Sequence, residues 1–237
     1  MSNPQHHLPE LTARIAGEGF KLLGGFHPDP DGPQVYLPDG RPAAAVFLIG
    51  SVGVEFWQAY RSAPESRDGG TDPLDRFTRR VLSALAGEAG LAALFPFEGP
   101  PYHPFQQWAL RTGGFSPSPL GVLVHETYGP WAGLRAAFLS SRKAEIPGQP
   151  AGQGPCPGCE AKPCIAACPA CAIDARRGYD AERCCGHLDT LGESPCWSGC
   201  LSRSKCPYGQ EFAPLPDQAR FHMNAFVSLV RSMAAKP

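Results

Sequence analysis

Ten cysteines carry the most legible chemistry of this chain, and all of them lie between Cys156 and Cys206. The first run reads Cys156-x2-Cys159-x4-Cys164-x3-Cys168-Pro169. Bacterial ferredoxin runs read C-x2-C-x2-C-x3-C-P. Their first three thiolates hold one cluster, and the cysteine before the proline serves the other. Here the x3-C-P ending is intact, and the middle gap is two residues longer. The second run is Cys184-Cys185, then Cys196-x3-Cys200-x5-Cys206-Pro207, a looser copy with the same Cys-Pro ending. Two such runs predict two [4Fe-4S] clusters with crossed ligands. Cys156, Cys159 and Cys164 would hold one together with Cys206. Cys184, Cys196 and Cys200 would hold the other together with Cys168. Cys171 and Cys185 are then spare and read as packed thiols. His187, three residues after Cys184, is a weaker ligand candidate.

Other uses of ten cysteines stay open at this point. Zinc sites pair C-x2-C units far apart, and Cys156/Cys159 is such a unit here. A single cluster, with the second run degenerate, is a variant of the iron–sulfur reading. A disulfide framework suits a secreted chain. The opening MSNPQHHLPE has no basic stretch followed by an apolar one, so a secretory signal is not expected and the expected compartment is the cytoplasm.

The rest of the chain must position this cluster of thiols. Of 237 residues, 43% are hydrophobic and 18% charged, enough apolar mass for a packed core. Glycine and proline together number 54, so much of the chain must be turn and loop. The net charge of −1 gives no electrostatic case for nucleic acid or for an anionic membrane. No apolar run nears the ~18 residues of a membrane span.

Composition divides the chain into an α+β domain over residues 1–147, a linker over 148–155, and a cysteine-bearing domain over 156–237. Leu11–Glu18 is a short helix, and Ala43–Ile49 is an apolar strand. Val54–Tyr60 fits a helix start or a strand exit. Thr71–Leu91 is the clearest helix. Thr71 or Asp72 caps it and Pro73 opens it, and Leu74, Phe77, Val81, Leu82, Leu85 and Ala89 recur at helical spacing. Phe105–Arg111 is a helix stopped by Gly113-Gly114. Gly121–His125 and Leu134–Leu139 read as two strands around the turn Tyr128-Gly129-Pro130. Gln218–Met233 is a terminal helix with an apolar stripe.

Two families resemble parts of this sequence. The segment from Cys156 to Pro207 resembles the double ferredoxin domain of epoxyqueuosine reductases. The likeness rests on Cys168-Pro169 followed by Ala172-Ile173, and on Asp180-Ala181-Glu182-Arg183-Cys184 ahead of the second run. On that comparison Cys184, not Cys185, takes the ligand position. Residues 11–147 resemble cobalamin-processing proteins of the cblC type. There the matches are Thr71-Asp72-Pro73-Leu74-Asp75 and Gly121–His125 with Gly129-Pro130-Trp131 and Arg135. Ala44–Ile49 and Glu145-Ile146-Pro147 add to them. The resemblance implies a nitroreductase-like α+β domain that binds cobalamin, followed by a small ferredoxin-like domain. It also implies that His125, Gly129, Trp131 and Arg135 face the corrin.

The leading expectation is a cobalamin-binding iron–sulfur protein. It would do reductive chemistry on or with a corrinoid, with electrons from an unidentified donor. A ferredoxin-like electron carrier without corrin is the alternative from another class. An epoxyqueuosine-reductase-like tRNA enzyme is the third, and it lacks a basic surface in the sequence. No triad, P-loop or dinucleotide fingerprint appears, so no catalytic residue is named. A homodimer interface is a further expectation.

Overall fold

The computed structural model describes residues 8–146 and 152–234. Residues 147–151, which include the first half of the expected linker, lie outside them. The chain forms two compact units, one of Met1–Gly114 with Ala132–Gln153, the other of Phe115–Trp131 with Gly154–Pro237.

The first unit begins with helix α1 (Leu8–Gly17) and strand β1 (Phe20–Phe26), followed by strand β2 (Ala45–Ser51) and helix α2 (Gly53–Ser62). The segment that fitted either element type is thus helical. Val52 precedes it in extended geometry and supplies no side-chain cap. Helix α3 (Pro73–Glu88), strand β3 (Ala92–Leu94) and helix α4 (Phe105–Arg111) follow. Helix α3 opens on Pro73 as expected. Asp72, however, takes a left-handed conformation and makes no side-chain cap bond. Its carbonyl accepts from the Asp75 and Arg76 amides instead, so the start is set by backbone rather than by the expected cap.

The chain then enters the second unit for β4 (Phe115–Ser116) and β5 (Val124–His125), and returns for strand β6 (Gly133–Ser140). The sheet of the first unit runs β1-β2-β6-β3, all neighbours antiparallel. Every residue of β2 is buried, which is why its sequence is a continuous apolar run rather than an alternating one. Ile49 pairs with Ala136 and Phe47 with Phe138. Beneath the sheet, Phe20, Phe56 and Phe77 form an aromatic cluster with centroids 5.2–6.2 Å apart, a spacing at which edge and offset contacts are favourable.

Two expectations differ here from what folds. Leu134–Leu139 lies within β6 and joins β2, while Val124–His125 pairs with β4. They are not a hairpin with each other. The boundary read from composition also differs. Residues 115–131 have no cysteine, yet they belong with the cysteine-bearing unit, because their apolar side chains pack there.

In that second unit, helix α5 (Pro163–Ala166), strands β7 (Ile173–Asp174) and β8 (Gly178–Tyr179), and helix α6 (Ala181–Thr190) come in order. Helix α7 (Leu201–Ser204) and helix α8 (Pro216–Ala234) close the chain. Asp180 caps α6, accepting from the Arg183 amide at 2.9 Å. The core is small and built partly from sulfur. One cluster joins Leu120, Val124 and Ile173 to Cys164 and Cys206. The other joins Leu188 and Val227 to Cys185 and Cys196. Among the described residues no helix is long and apolar enough to cross a membrane.

Candidate functional site

The first four cysteines of interest are gathered by three local devices. Cys156 opens a short 3-10 turn, and the Cys159 amide donates back to its carbonyl. Lys162 sits in the left-handed region at φ 38°. Its ammonium donates to the carbonyls of both Cys156 and Cys159, each at 3.0 Å. One cation thus closes the loop on itself. Pro163 then starts α5, which carries Cys164. Cys206 arrives from the far end of the second run, its amide bonded to the Arg203 carbonyl. Cys156, Cys159, Cys164 and Cys206 line one small apolar cavity, with Leu120, Val124 and Lys162 also in its wall. Burial pushes the Cys164 thiol up, and the nearby Cys206, Cys156 and Cys159 push it further.

The other four gather separately. Cys184 lies on α6, Cys196 in the 3-10 turn Pro195–Ser198, and Cys200 just before α7. Burial raises the Cys184 thiol, a hydrogen bond with the Tyr179 hydroxyl opposes this, and Cys200, Cys168 and Cys196 raise it again. Cys206 is thus with the first run's cysteines, while Cys168 packs against the cluster of Cys164 and Cys206 and also acts electrostatically on Cys184. The Cys168 sulfur accepts from the Ala172 amide at 3.3 Å. Cys171 is exposed. Cys185 is buried, and its thiol points to the Asp189 carboxylate at 3.8 Å. His187 is held by the Ser194 hydroxyl at 3.2 Å. Among the described residues no three His, Cys, Asp or Glu side chains converge to hold a single metal ion.

Several buried polar atoms near the second run lack a partner within the protein. Trp131 Nε1, Trp197 Nε1, Ser202 Oγ and Arg203 Nε are buried donors without a hydrogen-bond partner. Buried donors ordinarily find an acceptor. Trp197 lies between Cys196 and Cys200, and Ser202 and Arg203 follow Cys200. A sulfur-rich anionic group held by the second quartet is an acceptor of the right chemistry, so the residues fit it.

The four residues assigned to a corrin by resemblance fall in both units. His125 is 7% exposed. Its ring stacks on Tyr128 with centroids 4.8 Å apart and meets the edge of Phe115 at 4.7 Å. Its Nδ1 accepts from the Thr127 and Tyr128 amides at 3.1 and 3.3 Å. Burial lowers its pKa to about 4. Gly129 takes φ +58°, and a Cβ there would stand 2.0 Å from the Tyr208 carbonyl oxygen. The Trp131 ring lies under the Arg203 guanidinium, 5.0 Å from its centroid. Arg135 belongs to the first unit. Its Nε donates to the Ser51 hydroxyl at 2.9 Å, and its guanidinium lies over Phe56 at 5.3 Å. Burial lowers the Arg135 pKa, and Asp75 opposes this.

Sequence reasoning passed over Lys162, Tyr179, Trp197 and Arg203. Their signal was only adjacency to cysteines, which is weak because lysine, arginine and tyrosine are usually solvated there. A cavity of about 460 Å³ in the first unit was also not foreseen; His103, Trp108, Tyr36 and Arg111 are among its lining residues.

No family model matches the chain, and no curated protein matches its sequence. Among solved structures, the crystal structure of a C. elegans B12-trafficking protein CblC, described as a human MMACHC homologue, is similar. The TM-score is 0.52 at 14% identity, covering 95% of this chain and 96% of that one. The fold is thus mixed α/β and CblC-like. The match runs through the cysteine-bearing residues too, so a separate ferredoxin-like domain is not what the comparison displays.

Proposed function

We propose that this chain binds a corrinoid and carries two iron–sulfur clusters that supply it with electrons. The observation that carries the proposal is the gathering of Cys156, Cys159, Cys164 and Cys206, from both ends of the cysteine segment, on one small cavity, in a chain whose fold is similar to that of a B12-trafficking protein. Crossed quartets are what paired Cys-Pro runs produce when two clusters share a small fold.

Cys156, Cys159, Cys164 and Cys206 are proposed to hold one cluster, and Cys168, Cys184, Cys196 and Cys200 the other. Such clusters supply single electrons at low potential, tuned by hydrogen bonds, charge and exposure. The chain's own part is to hold thiolates and keep water out. Cys164, Cys196 and Cys206 are buried. The Ala172 amide is a hydrogen-bond donor for the sulfur of Cys168. Lys162 fixes the Cys156–Cys159 loop. A corrinoid needs a broad, partly apolar surface with polar groups at its rim. His125, Gly129, Trp131 and Arg135 are proposed as corrin-side residues on the family resemblance. The setting proposed is the cytoplasm, where thiols stay reduced.

The test is anaerobic reconstitution followed by iron and sulfide analysis and cobalamin titration. The expected result is about eight iron and eight sulfide per chain, with bound cobalamin in its base-off spectrum. Stoichiometric zinc in place of iron overturns the cluster reading. Clusters with no retained cobalamin leave an electron carrier and overturn the corrin reading. In folded protein with full iron, His125→Ala combined with Trp131→Ala should weaken cobalamin binding about ten- to a hundredfold. Unchanged affinity removes both residues from the site.

A further inference from the structure

We infer that Arg203 is the built-in counter-cation of the second quartet and makes the cluster held there the more easily reduced of the two. The inference rests on the two-cluster reading.

Arg203 is in an unusual position for a guanidinium. One terminal nitrogen donates to the Pro130 carbonyl. Its plane covers Trp131. Its Nε is buried and has no partner. Among the described residues it makes no ion pair with a carboxylate. A buried cationic nitrogen needs an anion; Arg203 lies on α7, which begins directly after Cys200, and the Cys200 thiol and then the Tyr179 hydroxyl act on its charge. Cys200 belongs to the second quartet, and Tyr179 acts on the Cys184 thiol of the same quartet. The missing partner of Arg203 is therefore whatever negative charge that quartet carries.

Four thiolates around an iron–sulfur core leave a net negative charge, and reduction adds one more. A fixed positive charge in a water-poor site stabilises the reduced form more than the oxidised one. Unpartnered donors act in the same direction, and Trp197 and Ser202 supply two beside Cys200. The first quartet is built differently. Lys162 and Arg203 are both half-buried, but Lys162 already donates to two carbonyls, whereas Arg203 keeps a buried Nε without a partner. The Lys162 charge is partly compensated before any cluster binds. The positive field at the second quartet is the less compensated of the two.

The experiment is a dithionite titration of the reconstituted full-length chain, followed by electron paramagnetic resonance. The second-quartet signal is identified as the one lost in Cys168→Ala. In the unmodified chain that signal should appear first on reduction. Arg203→Met should delay it until after the first-quartet signal, and Arg203→Lys should restore most of the original order. Trp197→Phe should shift the same signal in the same direction by less, which keeps the test alive if the Met variant does not fold. The opposite order in the unmodified chain overturns the inference alone. So does a second-quartet midpoint that none of these substitutions moves, or one that moves equally with the first. A reconstituted chain without iron removes the two-cluster reading, and the inference with it.

Discussion

The two units solve the problem of a core in opposite ways. The first buries Phe20, Phe56, Leu82, Phe138 and all of β2 without exceptional chemistry. Its one unpartnered buried polar atom among the described residues is the Thr78 hydroxyl. The second fills its two small clusters with cysteine and, among the described residues, leaves the Nε of Arg203 and two indole nitrogens without hydrogen-bond partners. A core rich in thiols and unpaired donors is incomplete as protein alone, because each buried unpaired group costs stability. On the proposed reading, the first unit is held by apolar packing, and the second by packing together with a bound group.

Removing iron from the reconstituted chain is the strongest way to break this contrast. Hydrogen exchange should rise throughout Phe115–Trp131 and Gly154–Ala234, while β2 and β6 keep their protection. Equal loss in both units would contradict it. Leu82→Ala is the mirror experiment. It should cost about 2–5 kcal/mol of stability with iron content unchanged in the folded protein, measured by denaturant unfolding and metal analysis.

Gly129→Ala sharpens the comparison within the second unit. The new Cβ would meet the Tyr208 carbonyl, and the backbone is left-handed. A cost of about 3 kcal/mol is expected from strain and overpacking together, with reduced iron retention. A variant as stable as the parent would show that this turn yields easily.

His125 gives a pH signature to the same region. Its folded pKa is about 4, below the unfolded value near 6.5. Burial disfavours the charged ring, and Nδ1 must stay unprotonated to accept the two turn amides. Between those values the unfolded chain holds the extra proton, so stability rises with pH. The contribution is complete above about pH 6.5 and disappears as pH falls through about 4. Discounted for solvent screening it amounts to about 2 kcal/mol. His125→Gln should flatten the stability difference between pH 7 and 5, and an unchanged slope would assign it to other groups. The smallest effect is expected at Cys171, which is exposed. Cys171→Ser should leave iron content unaltered, and a loss of about half the iron would make it a ligand.

Much of the first unit was legible because its elements are locally determined. Helix α4 spans the expected residues, since Gly113-Gly114 cannot prolong it. Helices α1, α3 and α8 shift from expectation by a few residues at their ends, where fraying and caps decide. The ambiguity of Val54–Tyr60 was real. Its aromatic residues suit either element, and packing of Phe56 against Phe20 and Phe77 made it a helix. The partners of Val124 and Leu134 were not legible, because strand pairing is chosen by long-range burial and not by adjacency in sequence.

The sequence by itself determined that the cysteines stand in two runs, each closed by a Cys-Pro step, because short Cys spacings and Cys-Pro endings are local features of the chain. It also determined the apolar β2 and the helical periodicity of α3. Tertiary structure alone decided that residues 115–131 leave the sheet unit and pack against the cysteines, and that Arg203 lies over Trp131 without a counter-ion. Both depend on contacts between residues some 40 to 80 positions apart in the chain, and no local pattern encodes contacts at that distance.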